Sequence, residues 1–239
     1  MKDSAEIIGL FLLLLCALSS ASHAQVPDDI DLNDGLIGYY PLNGTTLDKS
    51  GNGNHLMPTR TEDVFGFDRN VRPIKAAPLE DGNLSLKNTD NFLTGNSDFT
   101  ISIWARLSDS NRKDPRKILF ASDTINGFQL SLGKWTKGKP VPEFYIGGRL
   151  VFGVALGSDE LAMPLDYWHH FVLIRENGKI SLLLNNKPTA EGKTNLPING
   201  KGFFFGGRER KREGEKNPHS WTGGLDDIRI YSRALSGPE

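Results

Sequence analysis

Cysteine is nearly absent from this chain: its 239 residues contain one, Cys16, inside an apolar run near the N terminus. A disulfide framework is therefore excluded, and stability has to come from a buried core. Long hydrophobic runs are also missing. The longest, residues 7–18, falls short of the roughly 20 residues that cross a bilayer as a helix. No sustained apolar period of 3.6 residues occurs, which argues against helix bundles and alternating α/β folds. Neither sign of charge dominates, with 28 Lys and Arg against 29 Asp and Glu. That balance supplies no general pull toward nucleic acid or an anionic membrane. No phosphate loop, nucleophile elbow or zinc-ligand spacing appears.

What the chain does have begins with an export signal. Residues 7–18 precede Ser22-His23-Ala24, whose small residues at −3 and −1 suit signal peptidase. Cleavage after Ala24 leaves Gln25 first, removes Lys2, Asp3 and Glu6, and leaves 27 basic and 27 acidic residues. The expected location is periplasmic or extracellular, with no membrane span after cleavage; the alternative is an uncleaved anchor. Lipidation at Cys16 is disfavoured because Leu15 before it is not small. Residues 25–34 read as a polar leader and 35–236 as one domain.

Twenty-six glycines and thirteen prolines punctuate short apolar segments. The stretch 168–187, W-H-H-F-V-L-I-R-E-N-G-K-I-S-L-L-L-N-N-K, sets two apolar runs on either side of Asn177-Gly178. Asn-Gly tolerates the positive φ of a type I′ turn, so this is a β-hairpin. Its arms are apolar on both faces, which suits central strands under a second layer. The second arm is expected to stop at the turn Asn185-Asn186-Lys187-Pro188. Residues 98–107 alternate, with Phe99, Ile101, Ile103 and Ala105 on one face and Thr100, Ser102, Trp104 and Arg106 on the other. Further strands are expected within 35–44, where a turn closes the strand, and near 83–87, 117–122, 128–132, 143–146, 150–155, 202–205 and 223–231. Short strands with frequent turns and no helices imply an all-β, antiparallel two-sheet β-sandwich or a barrel.

Four stretches together resemble one superfamily. They are G-L-I-G-Y-Y-P-L-N-G with D-K-S-G-N-G-N-H (35–55), F-T-I-S-I-W-A (99–105), the hairpin 167–187, and W-T-G-G-L-D-D-I-R-I-Y-S-R-A-L-S (221–236). In this order they resemble the laminin-G-like jelly roll of the concanavalin A-like lectin/glucanase superfamily, over residues 35–236. The resemblance implies two curved antiparallel sheets with the terminal strands adjacent. It also implies binding of carbohydrate or protein, often with a calcium ion.

The residues themselves limit catalysis. The glucanase branch places its carboxylates at alternate positions of one strand, and no such run occurs here: Glu143 is alone, Glu176 lies in a turn, and Glu209, Glu213 and Glu215 lie in a loop. His169 and His170 are adjacent in a strand and point to opposite faces, so they cannot share one ion. For calcium, Asp48 and Asn52 offer oxygens at a glycine-rich turn, and the terminal strand carries Asp226 and Asp227. Asp226 shares parity with Ile228 and Ile230 and is expected to point inward. It is then either a ligand of a structural Ca2+ or a hydrogen-bonding anchor for the Gly-Asn loop.

Sugar recognition needs exposed aromatic rings flanked by groups that read hydroxyls. Trp135, expected in the loop 133–139, and Trp104 with Arg106 are the candidates; Trp168 and Trp221 read as packing. Two basic loops, 112–117 and 208–216, form either a positive rim for an anionic polysaccharide or ordinary solvated surface. The leading expectation is an exported, non-catalytic, lectin-like module whose partner is a polysaccharide or cell-surface glycan. A protein-interaction or adhesion domain is second, and a polysaccharide-degrading hydrolase or lyase third.

Overall fold

The computed structural model describes residues 31–59, 66–73, 76–79, 82–86, 93–108, 116–122, 127–136, 139–153, 163–198, 202–208 and 219–236. The side chains of residues 78, 134–136 and 139–140 fall outside that description, as do residues 1–30, where the export signal is expected, and most of both basic loops. Fourteen strands follow one another. They are β1 (Leu36–Tyr40), β2 (Met57–Pro58), β3 (Ala77–Leu79), β4 (Leu84–Leu86), β5 (Phe99–Leu107), β6 (Lys117–Ser122) and β7 (Phe128–Thr136). The chain continues with β8 (Lys139–Ile146), β9 (Arg149–Gly153), β10 (Trp168–Glu176), β11 (Lys179–Leu184), β12 (Lys187–Lys193), β13 (Phe203–Phe205) and β14 (Gly223–Tyr231).

Two seven-stranded antiparallel sheets result. The first runs β1-β14-β5-β10-β11-β12, with β3 also on β14; the second runs β2-β4-β13-β6-β7-β8-β9. The β-sandwich expectation holds, and the first and last strands are adjacent. Alternation explains the layering: in β5 the residues Phe99, Ile101, Ile103, Ala105 and Leu107 are buried, while Ser102, Trp104 and Arg106 are half-buried. Between the sheets, Phe99, Phe120, Phe128, Phe144, Phe152, Phe203 and Phe205 form a chain of rings with neighbouring centroids 4.8–6.4 Å apart. Each such pair adds about 0.5–1.5 kcal/mol to the burial of its area.

The β10–β11 hairpin sits inside the first sheet, and its turn residues Asn177 and Gly178 have φ of 48° and 77°. Its inner face is buried, but Val172, Ile174 and Leu183 on the outer face are only half-covered, so no second layer closes over it. The stop expected at residues 185–188 is not there. Asn185 and Asn186 make the turn, and β12 starts at Lys187, with Pro188 opposite Leu183 beside a register shift. Proline fits because β12 is an edge strand, whose outward N–H needs no partner. Trp135 is also corrected: it belongs to β7, paired with Pro140, because the β7–β8 hairpin continues past a bulge between Gly133 and Trp135.

Phe120, fully buried at the junction of four of these rings, tests the core. Phe120→Ala is expected to cost about 3–5 kcal/mol in urea unfolding. A loss under about 1 kcal/mol would mean that the sheets are not packed at this position.

Candidate functional site

The outer face of the first sheet carries the densest set of chemical groups. Register across β14, β5 and β10 sets three rows there: Gly224–Arg106–Trp168, Asp226–Trp104–His170 and Arg229–Ser102–Val172. Asp226 stands in this outer row, contrary to the inward orientation expected from its parity with Ile228 and Ile230. The cause is one extra residue. Between Asp226 and Arg229 β14 advances three residues against two on β5, and Asp227 takes the bulge with φ 45°. With a side-chain period of two, a single insertion exchanges the faces.

Over this face lies the turn at residues 66–73. Asp68 shapes it, accepting the backbone N–H of Asn70 and of Arg72, each at 2.8 Å, and the Arg72 Nε–H at 2.6 Å. The turn delivers Arg69, which donates to Asp226 Oδ2 at 2.6 Å and to Asp227 Oδ2 at 3.2 Å. Its guanidinium also sits 5.0 Å from the centroid of the Trp104 ring. His170 stacks on the same indole at 4.9 Å with a 10° tilt, and its Nε2 is 2.8 Å from Ser102 Oγ. Arg229 lies 3.2 Å from Asp227 Oδ1 and 4.7 Å from the Tyr39 ring. Arg106 is held over Trp168 at 5.5 Å.

Burial pushes the Asp226 carboxyl up to about 6, more than its Arg69 partner pulls it down. Burial also lowers His170, which is therefore neutral at pH 7. Asp48 goes the other way. Burial opposes its charge, but donors from Tyr39, Ser50 and Asn54 hold it below the usual carboxylate range.

Those donors bear on the fit of a calcium ion. Asp48 accepts four hydrogen bonds, from the N–H groups of Tyr39, Ser50 and Asn54 and from Ser50 Oγ. Asn52 turns its Nδ2 to Leu36 O and Ser50 Oγ. Asp226 and Asp227 are occupied by guanidinium groups. Asp48 is thus the hydrogen-bonding anchor of the Gly-Asn loop, the role weighed for Asp226, and four N–H or O–H donors around a carboxylate leave a cation no place. Arranged in this way, these residues do not fit a calcium ion. Among the described residues no three His, Cys, Asp or Glu side chains group as metal ligands.

Of the sequence-based sugar-site residues, Trp104 and Arg106 are brought together on this face, joined by Asp226 and Asp227; the Trp135 side chain lies outside the described residues. Trp221 packs as expected, fully buried with Nε1 donating to Arg106 O. Trp168 belongs to the face, not to the interior. Its ring reaches across β5 until it would meet a Cβ at Gly224 at 2.7 Å, so only glycine admits it. Arg69 and Ser102 were not singled out, and His170 was weighed only as a metal ligand beside His169. Parity placed Ser102 beside Trp104, but nothing in the irregular stretch 57–82 pointed to Arg69.

The outer face of the second sheet is different. Glu143 is buried there, accepting from Tyr145 Oη at 2.9 Å, with Arg116 3.7 Å away and a buried, unpartnered Ser131 hydroxyl opposite. Glu143 stands without a second carboxylate on its strand, as expected. At one end of the sandwich, a cleft of about 460 Å³ includes the buried Arg175, whose guanidinium donates to Gly95 O, Asn96 Oδ1 and Leu196 O and so pins two loops.

A family model described as the concanavalin A-like lectin/glucanases superfamily matches residues 80–239, and the chain belongs to that superfamily. No curated protein matches it by sequence. Among solved structures it is similar to domain 4 of AbnA, a GH43 extracellular arabinanase from Geobacillus stearothermophilus in complex with arabinotriose. That match has a TM-score of 0.60 at 17% identity over 84% of this chain and 94% of that one. It is also similar to the botulinum neurotoxin serotype D binding domain, with a TM-score of 0.59 at 15% identity over 86% of this chain. A Trypanosoma rangeli sialidase in complex with 2,3-difluorosialic acid gives a TM-score of 0.59 at 15% identity over 85% of this chain. This chain spans 49% of the toxin domain and 32% of the sialidase. At these identities the likeness is one of fold.

The Asp226 carboxyl yields a pH prediction. Its folded value lies above its ordinary one, so the folded state holds the proton more tightly than the unfolded chain. Stability is therefore gained as pH falls from about 6 toward about 4, by roughly 1–3 kcal/mol. That gain is the contribution of Asp226 alone. Asp48 and Asp68, both held low, act only below the window. His169 and His170, lowered by burial, oppose it from about pH 6.5 downward, so the Asp226 contribution is read as the difference between the parent chain and Asp226→Asn. Asp226→Asn should flatten the gain in urea melts at pH 7.5 and 4.5; parallel curves would show the carboxyl to be unperturbed.

Proposed function

We propose that this protein is a non-catalytic carbohydrate-binding domain whose site is the outer face formed by β14, β5 and β10. One observation carries the reading. Two half-buried indoles, Trp104 and Trp168, lie on a sheet face beside Ser102, His170, Arg106 and the Arg69–Asp226 pair. Indoles receive the C–H faces of sugars, and charged and hydroxyl side chains read the hydroxyl groups. A buried carboxylate that costs stability is retained where function requires it. The arabinanase domain, solved with arabinotriose, supports a glycan as the ligand. A role without turnover is supported by the carboxylates described on the two sheets: Asp226 and Asp227 are paired with guanidinium groups, and Glu143 lies on the opposite sheet. Residues 1–24 act as the export signal in this reading, and mass spectrometry of protein secreted from a heterologous host should find Gln25 first. Retention of residues 1–24 would remove the export proposal.

The test is a glycan and polysaccharide binding screen on the chain from Gln25, with calcium and with EDTA. Trp104→Ala and Trp168→Ala are expected to weaken binding about tenfold or more, roughly 1.4 kcal/mol, with the melting transition retained. The corresponding Phe variants keep an aromatic ring and most of the affinity. Binding should be indifferent to EDTA. Silence across neutral and acidic glycans would overturn the proposal in favour of a protein partner.

A further inference from the structure

Three guanidinium groups stand on this face, and two of them are committed. Arg69 pairs with Asp226 and Asp227; Arg229 pairs with Asp227 and lies on Tyr39. Arg106 is not. Among the described residues it has no carboxylate partner, and its Nε is buried without a hydrogen-bond acceptor. The terminal N–H groups of the half-buried side chain, and not the enclosed Nε, are those a ligand acceptor can reach. The group is also fixed in place. Its guanidinium lies over Trp168, and Trp168 is itself laid against the strand by the missing side chain of Gly224. A guanidinium held by a ring presents a planar fork, which matches a carboxylate or sulfate with two parallel hydrogen bonds. The two Asp side chains are neutralised by the other two arginines, so one positive charge remains on the face, at Arg106.

We infer, resting on the glycan-binding reading of this face, that its ligand is an acidic glycan whose carboxylate or sulfate group pairs with Arg106 while the sugar contacts the neighbouring indoles. The shared chemistry is a planar or tetrahedral oxyanion on a sugar ring. A neutral sugar offers hydroxyl groups that leave the charge of Arg106 uncompensated, so the face discriminates by charge and not by ring alone.

The experiment measures binding of oligogalacturonides and of their methyl esters by calorimetry, since these differ only in the carboxylate. Sulfated carrageenan oligosaccharides and their desulfated counterparts, which contain no uronic acid and are therefore neutral, form the sulfate arm. In at least one arm the acidic member is expected to bind about tenfold tighter, with an affinity that falls as salt rises. Arg106→Gln should erase that preference, while Arg106→Lys, which keeps the charge but not the fork, should retain part of it. Melting curves of each variant establish that the fold persists. Equal binding of acidic and neutral members, or a preference that survives Arg106→Gln, overturns the inference. If neutral glycans bind and the Trp104→Ala variant loses them, the carbohydrate reading stands and only the acidic specificity falls. If no glycan binds at all, both fall.

Discussion

One inserted residue in β14 sets the chemistry of the first sheet. A strand shows alternate residues to alternate faces, so the bulge at Asp227 turns Asp226 away from the apolar interior and into line with Trp104. Without it, Asp226 would share the inner face with Ile228 and Ile230 while Leu225 turned outward, and an unpaired carboxylate there is far more costly. With it, the carboxylate meets Arg69 and the indole meets His170. The polar and aromatic face depends on this change of parity.

The two buried aspartates that matter most are handled in opposite ways. Asp48 sits among backbone N–H groups that favour its charge, and it ties down the loop after β1. Asp226 is hemmed in by side chains, and only one guanidinium partly offsets its desolvation. The first arrangement stabilises a turn, whereas the second holds a strained electrostatic position on a sheet face. The same residue type thus has its acidity raised in one place and lowered in the other, with the balance set by the number of aligned donors.

The hairpin β10–β11, the alternation of β5 and the extent of β14 were all legible before any coordinates. Each rests on a local pattern: Asn-Gly for the turn, period two for the strands. The strand β12 was hidden because Pro188 ordinarily ends a ladder, and only its place at the sheet edge makes it acceptable. β2 and β3, two and three residues long, carry too little pattern to be seen. Of the candidate site, Trp104 and Arg106 were found by parity. Arg69 was not, because its contacts to Asp226 and Asp227 join positions more than 150 residues apart.

The sequence by itself determined the class of fold, the superfamily and the side of β5 on which Trp104 and Arg106 stand. These follow from short-range rules, the steric alternation of strands and the conformational tolerance of turn residues. Tertiary structure decided which groups meet: that Asp226 faces outward, that Arg69 pairs with it, and that Trp168 lies across Gly224 beneath Arg106. Those outcomes depend on register and on loops that return from distant parts of the chain, and a linear pattern carries no measure of either.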